Sequence, residues 1–302
     1  MSHILNPDNS LNDWLTEKQF PVYRARQIRR WLFQGRAKSF DDMSDLPKHL
    51  RDQLEQDFKI WTTSVVKHQK SVDGTEKLLL ELSDGGRIEC VLLREESRRT
   101  ICISSQVGCA MGCVFCASGL DGVDRNLTSG EIVEQMLLLQ RLLPNDERLS
   151  HIVVMGMGEP LLNYEEVKKA CGILMDNKGL DFSRRRITLS TAGIVPKIKI
   201  AHEEIGCMIA VSLHATENKT RDILVPINKK WNLEQLLGSL RDDVKLRNSE
   251  RVTFEYVMLD GVNDTKEDAH RLVRLLQGLP SKINLIPFNN WTGSQYKRSS
   301  SD

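Results

Sequence analysis

The chain has 302 residues, a net charge of +1, 40% hydrophobic and 27% charged residues. This is enough to bury a sizeable core without disulfides, and the near-zero charge does not announce a nucleic-acid partner by global electrostatics. No uninterrupted apolar run approaches bilayer length and the first ten residues lack a signal-peptide profile, so a cytoplasmic, membrane-free protein is expected, whose seven cysteines are ligands, reactive thiols or core residues.

Residues 1–61 read as helical. Apolar residues at helical spacing mark 12–19 (Trp14, Leu15), 23–34 (Ile28, Trp31, Leu32) and 46–58. Between Arg24 and Lys38 lie six basic residues, Arg24, Arg26, Arg29, Arg30, Arg36 and Lys38, and no acidic one. With Tyr23, Trp31 and Phe33 interleaved, such a face could meet a phosphate backbone and stack on bases. Taken alone, the pattern favours a solvated surface over a small aromatic core.

Residues 62–97 change period. Lys77–Leu82 and Arg87–Leu93 read as strands joined by a hairpin turn at Ser83-Asp84-Gly85-Gly86. Glu89 on the second strand is, from pattern alone, an ordinary polar-face residue.

From residue 98 to 302 strands and helices alternate. Strands are expected at 100–105, 151–155, 186–190, 208–213, 252–258 and 282–286, with helices at 128–143 (capped by Thr128, with Glu131 at the capping-box position), 164–177, 195–202, 233–246 and 266–277. Six strands each separated by a helix demand parallel pairing, so the fold class expected is α/β, a partial (β/α)6 barrel. Ligands in such folds collect at the carboxyl ends of the strands.

Those ends hold the chemistry. After the first strand comes Cys109-x-x-x-Cys113-x-Phe115-Cys116, three thiolates spaced to hold a soft metal or an iron–sulfur cluster one protein ligand short, leaving a position open for substrate or cofactor. After the second comes Gly156-Met157-Gly158-Glu159-Pro160, with glycines for close approach and a carboxylate suited to an ammonium group. Ser190-Thr191-Ala192-Gly193, Ser212-Leu213-His214-Ala215 and Pro287-Phe288-Asn289 follow the third, fourth and sixth. Each is weak evidence alone; five polar clusters at one rim describe a cup.

The cysteine motif with Gly158-Glu159-Pro160 resembles the cluster and methionine-binding motifs of radical S-adenosylmethionine enzymes. Ser104 through Cys109, Arg125 through Thr128, Met155 through Asn163, Ser212 through Ala215, Pro287-Phe288-Asn289 and Phe20 through Ile28 extend the resemblance, over nearly the whole chain, to the RlmN/Cfr group of radical S-adenosylmethionine RNA adenosine methyltransferases, the RlmN branch in particular. The resemblance implies that Cys109, Cys113 and Cys116 hold a [4Fe-4S] cluster whose fourth iron is chelated by S-adenosylmethionine, and that Gly158, Glu159, Ser190, Ser212, Leu213, His214 and Asn289 contact that cofactor. It makes Glu89 the proton acceptor and Cys102 the thiol that resolves a covalent protein–RNA intermediate as a disulfide. It also reverses the reading of the basic face, making residues 1–61 an RNA-binding accessory domain, 62–97 a β-hairpin extension and 98–302 the radical core.

The implied reaction methylates carbon 2 of an adenosine in 23S rRNA and of a tRNA, using two S-adenosylmethionine molecules and an electron donor such as a flavodoxin or ferredoxin, in a monomer. Carbon 8 stays open, because both branches share these motifs. One departure is evident: the family continues to a methyl-accepting cysteine near its C-terminus, whereas no cysteine follows Cys207 here. The expectation is that this sequence lacks its natural end; the alternative is a radical relative without methyltransferase activity. Cys90, Cys171 and Cys207 read as core residues. A non-catalytic RNA-binding relative is a further rival, and a structural zinc site would need a fourth ligand that is not evident.

Overall fold

The computed structural model describes residues 2–6, 11–177 and 179–300; residues 7–10 of the N-terminal stretch and the last two residues of the chain lie outside them. In chain order the elements are β1 (Ser2–His3), α1 (Leu11–Glu17), α2 (Arg24–Phe33), α3 (Lys48–Asp57), β2 (Phe58–Lys59), β3 (Thr63–Lys70), β4 (Glu76–Leu82), β5 (Arg87–Arg94), β6 (Arg99–Cys102), β7 (Gln106–Gly108), β8 (Val123–Asn126), α4 (Ser129–Gln140), β9 (His151–Val154), α5 (Tyr164–Met175), β10 (Ile187–Thr191), α6 (Val195–Glu204), β11 (Met208–Ser212), α7 (Asn218–Leu224), α8 (Leu233–Asp242), β12 (Val252–Met258), α9 (Lys266–Leu276) and β13 (Ser281–Pro287). The chain divides into two compact units. The first comprises 1–107, 126–156 and 163–187; the second comprises 108–125, 157–162 and 188–302.

In the first unit the strand order is β9-β6-β5-β4-β3, with β6 and β9 parallel and the other pairs antiparallel. β4 and β5 bury alternate residues, Leu78, Leu80 and Leu82 against Ile88, Cys90 and Leu92, which is the period-two signal the sequence carries. β3 has no such alternation: past Thr63 every residue is exposed, and a bulge falls between Val65 and Lys67. It was therefore not expected as a strand. Its start is fixed from α4, where the fully buried Glu134 carboxylate accepts from the backbone and hydroxyl groups of both Thr62 and Thr63 at 2.6–3.0 Å. The His3 ring at 3.2 Å, together with those bonds, outweighs burial and holds its carboxyl below the usual range. α4 begins as expected: Thr128 Oγ1 accepts from Glu131 N–H, and the Glu131 carboxylate accepts from Thr128 N–H.

In the second unit β10, β11, β12 and β13 pair in sequence order, all parallel. α6, α8 and α9 start on Pro196 within the first turn, an Asn232–Gln235 capping box and a Thr265–Asp268 capping box, respectively. The architecture is the mixed α/β fold expected, and the sheet is not closed into a barrel by hydrogen bonds. α7, only seven residues long, was not expected; it carries the residue that organises the ends of β10 and β11.

Candidate active site

The cysteine loop lies in the second unit. Its base closes where Cys109 N–H donates to Gly122 O at 2.7 Å. Gly108 has φ +76° and a Cβ there would sit 2.2 Å from that same oxygen, so the position accepts only glycine. The backbone N–H groups of Met111 and Gly158 point at the Cys109 sulfur. At the loop's far side Val114 N–H donates to Leu224 O of α7 at 3.2 Å, and Cys113, Val114 and Phe115 pack on a core of Ala192, Leu224, Val225, Val257 and Phe288. Phe115 meets the His214 ring edge-on at 4.5 Å, and Trp291 donates to its carbonyl at 3.1 Å.

Cys109, Cys113 and Cys116 are free, half-buried thiols. Burial, then the neighbouring Cys116 and Cys109 sulfurs, push Cys113 up to about 12, with Arg221 opposing. Among the described residues no group of three or more His, Cys, Asp or Glu is arranged to hold one metal ion, whose thiolate donors would all converge to about 2.3 Å from a single centre. Three thiols on one loop, one of them met by backbone N–H donors, fit a multi-iron cluster, in which each iron takes one thiolate and N–H···S bonds tune the potential.

Gly158, with φ +100°, turns the chain so that Glu159 points inward. The Glu159 side chain is 2% exposed and accepts from Leu161 N–H at 3.1 Å and Ala192 N–H at 2.7 Å. Burial nevertheless raises its carboxyl to about 7, because two amides and Thr191 only partly replace lost water. Such a group gains from a cationic partner.

At the end of β10, Ser190 is half-buried and Thr191 Oγ1 accepts from Gly193 and Ile194 N–H, closing the turn. At the end of β11, Leu213 is fully buried, so this position offers a ligand only backbone. His214 is left-handed (φ +57°); its Nδ1 accepts from Val257 N–H at 3.0 Å, and its carbonyl accepts from Asn263 Nδ2 at 2.7 Å. Burial and Arg221 push its imidazole down to about 3, so it is a neutral ring with the proton on Nε2, packing on Phe115. Asn289 is exposed beside the buried Phe288. In register with Ser212, and so on the same face, stand Glu255 and Asn284, hydrogen-bonded at 2.7 Å.

Glu89 and Cys102 belong to the first unit. Val91 is the register partner of Cys102, so alternation puts Glu89 on the same sheet face as Cys102. Glu89 is half-exposed and pairs with Lys77 Nζ at 2.9 Å. Cys102 is half-buried, and desolvation pushes its thiol up to about 12 against a hydrogen bond from Met155 N–H.

The basic segment is mostly occupied within the first unit. Arg24 bonds Gln27 and the Asp45 carbonyl, Arg29 meets Asp176, Arg30 meets Asp45, and Arg36 donates to the carbonyls of Leu143, Pro144 and Glu147. Arg26 and Lys38 are exposed. Sequence reasoning missed Arg221, Asn263, Glu255 and Lys77: the first two and Lys77 sit beside charged or polar residues and read as surface, while Glu255 reads as one polar residue in an otherwise apolar strand.

Residues 103–276 match the radical SAM superfamily, and residues 5–60 match the ribosomal RNA large subunit methyltransferase N-terminal domain. A Rhodopirellula baltica protein named "probable dual-specificity RNA methyltransferase RlmN" is 54% identical over 98% of this chain and 80% of its own length. The dual-specificity RNA methyltransferase RlmN of Paracoccus denitrificans is 52% identical over 96% and 78%. A radical SAM methyltransferase crystal structure from Sphaerobacter thermophilus superposes with a TM-score of 0.94 at 40% identity, over 100% of this chain and 89% of that one. No described helix is long and apolar enough to cross a membrane. The chain belongs to the RlmN family of radical SAM RNA methyltransferases.

Proposed function

We propose that this transferase methylates carbon 2 of an adenosine in 23S rRNA and of a tRNA adenosine, in the cytoplasm, as a monomer, consuming two S-adenosylmethionine molecules and an electron from a flavodoxin or ferredoxin. When bound, a [4Fe-4S] cluster supplies the electron that cleaves the sulfonium and so the radical that an unreactive ring carbon requires. Cys109, Cys113 and Cys116 would hold it. The methyl-accepting thiol of the family has no counterpart after Cys207 here; the remaining roles fall to residues of this chain.

Glu159, buried with its carboxyl raised by desolvation, receives the ammonium of the methionine moiety, beside the turn at Gly158. The Ser190 hydroxyl, the Ser212–His214 backbone and Asn289 orient the remainder. Glu89, paired with Lys77 Nζ at 2.9 Å, accepts the ring proton. Cys102 is the thiol that frees the product. Residues 1–61 form the RNA-binding accessory domain, 62–97 the hairpin extension and 98–302 the radical core.

The reading is carried by similarity, over nearly the whole chain, to proteins named dual-specificity RNA methyltransferases. The shared sheet face of Glu89 and Cys102 supports their pairing in one reaction. Mass spectrometry of rRNA and tRNA nucleosides from cells with and without the gene tests it: 2-methyladenosine in both RNAs is expected to disappear on deletion. Loss of 8-methyladenosine instead would move the site of reaction, and no change in either nucleoside would refute the assignment.

A further inference from the structure

Arg221 on α7 is fully buried, and among the described residues it forms no ion pair. Its partners are Leu213 O to Nε at 3.0 Å, Asn228 Oδ1 to Nη1 at 2.9 Å, and Ala192 O and Ser212 O to Nη2 at 2.8 and 2.9 Å. The carbonyls come from the ends of two strands, β10 and β11, that carry cofactor-contact candidates. The nearest carboxylate in sequence, Asp222, is half-buried and accepts from Asn228 Nδ2 at 2.6 Å.

Burying a guanidinium costs several kcal/mol, and neutral carbonyls alone repay it poorly. A buried cation of this kind gains from an anion held close to it. The cysteine loop is where that anion belongs: Val114 N–H donates to Leu224 O, three residues past Arg221, and Cys113 packs on the same apolar cluster as Leu224 and Val225. The Arg221 charge acts on the Cys113 sulfur, and the guanidinium stays protonated at neutral pH.

We propose that Arg221 is a positioning residue of the cofactor site, whose permanent buried charge favours the reduced, more negative form of the cluster held by Cys109, Cys113 and Cys116, while its hydrogen bonds fix the β10 and β11 ends. A four-iron core of charge two plus held by three thiolates carries one net negative charge. One electron from an external one-electron donor raises that to two, with no bond made or broken, so a fixed cation nearby stabilises the product of reduction more than the reactant. Arg221 has no exposed surface for a ligand, so it acts only through its neighbours.

The inference rests on the cysteines holding a cluster, and the experiment separates the two. Full-length wild type, Arg221→Gln, Arg221→Lys and Asp222→Asn are reconstituted anaerobically with iron and sulfide and titrated with dithionite under electron paramagnetic resonance. A wild type that binds no iron would sink the ligand assignment itself. With the wild type loaded, Arg221→Gln is expected to lower the equilibrium constant for one-electron reduction at least tenfold at unchanged iron content, which is 59 mV. Arg221→Lys is expected to recover most of it, because it keeps the charge, and Asp222→Asn should shift it at least twofold the opposite way. An Arg221→Gln cluster within twofold of wild type would overturn the proposal. If that variant does not fold, an Asp222→Asn cluster with unchanged potential overturns it, and the opposite shift with Arg221→Lys near wild type upholds it.

Discussion

Two sets of arginines in this molecule look the reverse of what they are. The segment from Arg24 to Lys38, six basic residues without an acidic one, reads as a surface made for an anionic partner, yet four of its guanidinia are engaged with carboxylates, a glutamine and carbonyls of the same unit. Arg221, in Thr220-Arg221-Asp222, reads as one more solvated helix charge and is fully buried under carbonyls at the ends of two strands. The lesson is energetic. A charge at the surface can be satisfied by water or by whichever carboxylate lies near, so its sequence context says little about its use. A charge in the core must be satisfied by groups that the fold brings from afar, and those groups are where the chemistry is organised.

The sharpest way to break that comparison is through another buried charge of the second unit. Glu159 has a carboxyl raised from 4.5 to about 7 by burial. A raised carboxyl pKa means that the folded state prefers the protonated form, so this contribution to stability is fully present below pH 4.5 and is lost as the pH rises through 7. In the cofactor-free chain the loss amounts to about 3 kcal/mol. Urea unfolding of wild type and Glu159→Gln at about pH 5 and about pH 8 measures it. The variant should lose most of the pH dependence, and equal slopes would mean that Glu159 is not desolvated as its 2% exposure indicates.

A smaller effect is expected at the half-buried Arg36, the best-connected of the basic segment. It donates to three carbonyls just beyond the C-terminal end of α4, where a cation also meets the negative end of the helix. Arg36→Ala should cost about 2 kcal/mol in chemical denaturation. A cost near zero would return this arginine to the class of solvated charges.

Much of the fold was legible because its signals are local. The β4–β5 alternation, the Thr128–Glu131 box and each strand and helix of the alternating core declare themselves within short stretches, and the cysteine spacing marks a three-thiolate site. β3 was not legible, because no exposed edge strand needs apolar alternation; Glu134, some seventy residues away, fixes its start. Lys77 beside Glu89 was hidden because strand register, not sequence distance, makes them neighbours. The roles of Glu89 and Cys102 came from resemblance and not from pattern, since a strand glutamate and a half-buried strand cysteine are unremarkable residues by any local rule.

The smallest expected effect sharpens the comparison from the other side. Arg30 and Asp45 form an ion pair at 2.5 Å, but the arginine side chain is 55% exposed. Asp45 is also held by Trp31 Nε1 and Gln27 Nε2, and the Trp31 hydrogen bond is the main reason its carboxyl lies below the usual range, ahead of the Arg30 charge. Removing the arginine therefore leaves the carboxylate with two donors and water, whereas removing the carboxylate strands an indole N–H and an amide as well. Arg30→Ala should cost under about 1 kcal/mol and Asp45→Ala distinctly more, with a coupling between them of a few tenths in a double-mutant cycle. Since Arg30 contributes so little to the fold, its guanidinium can leave Asp45 for a phosphate at small cost. In the RNA complex, Arg30→Ala should then weaken binding and flatten its salt dependence by about one counterion. An unchanged salt slope would show that Arg30 serves only Asp45.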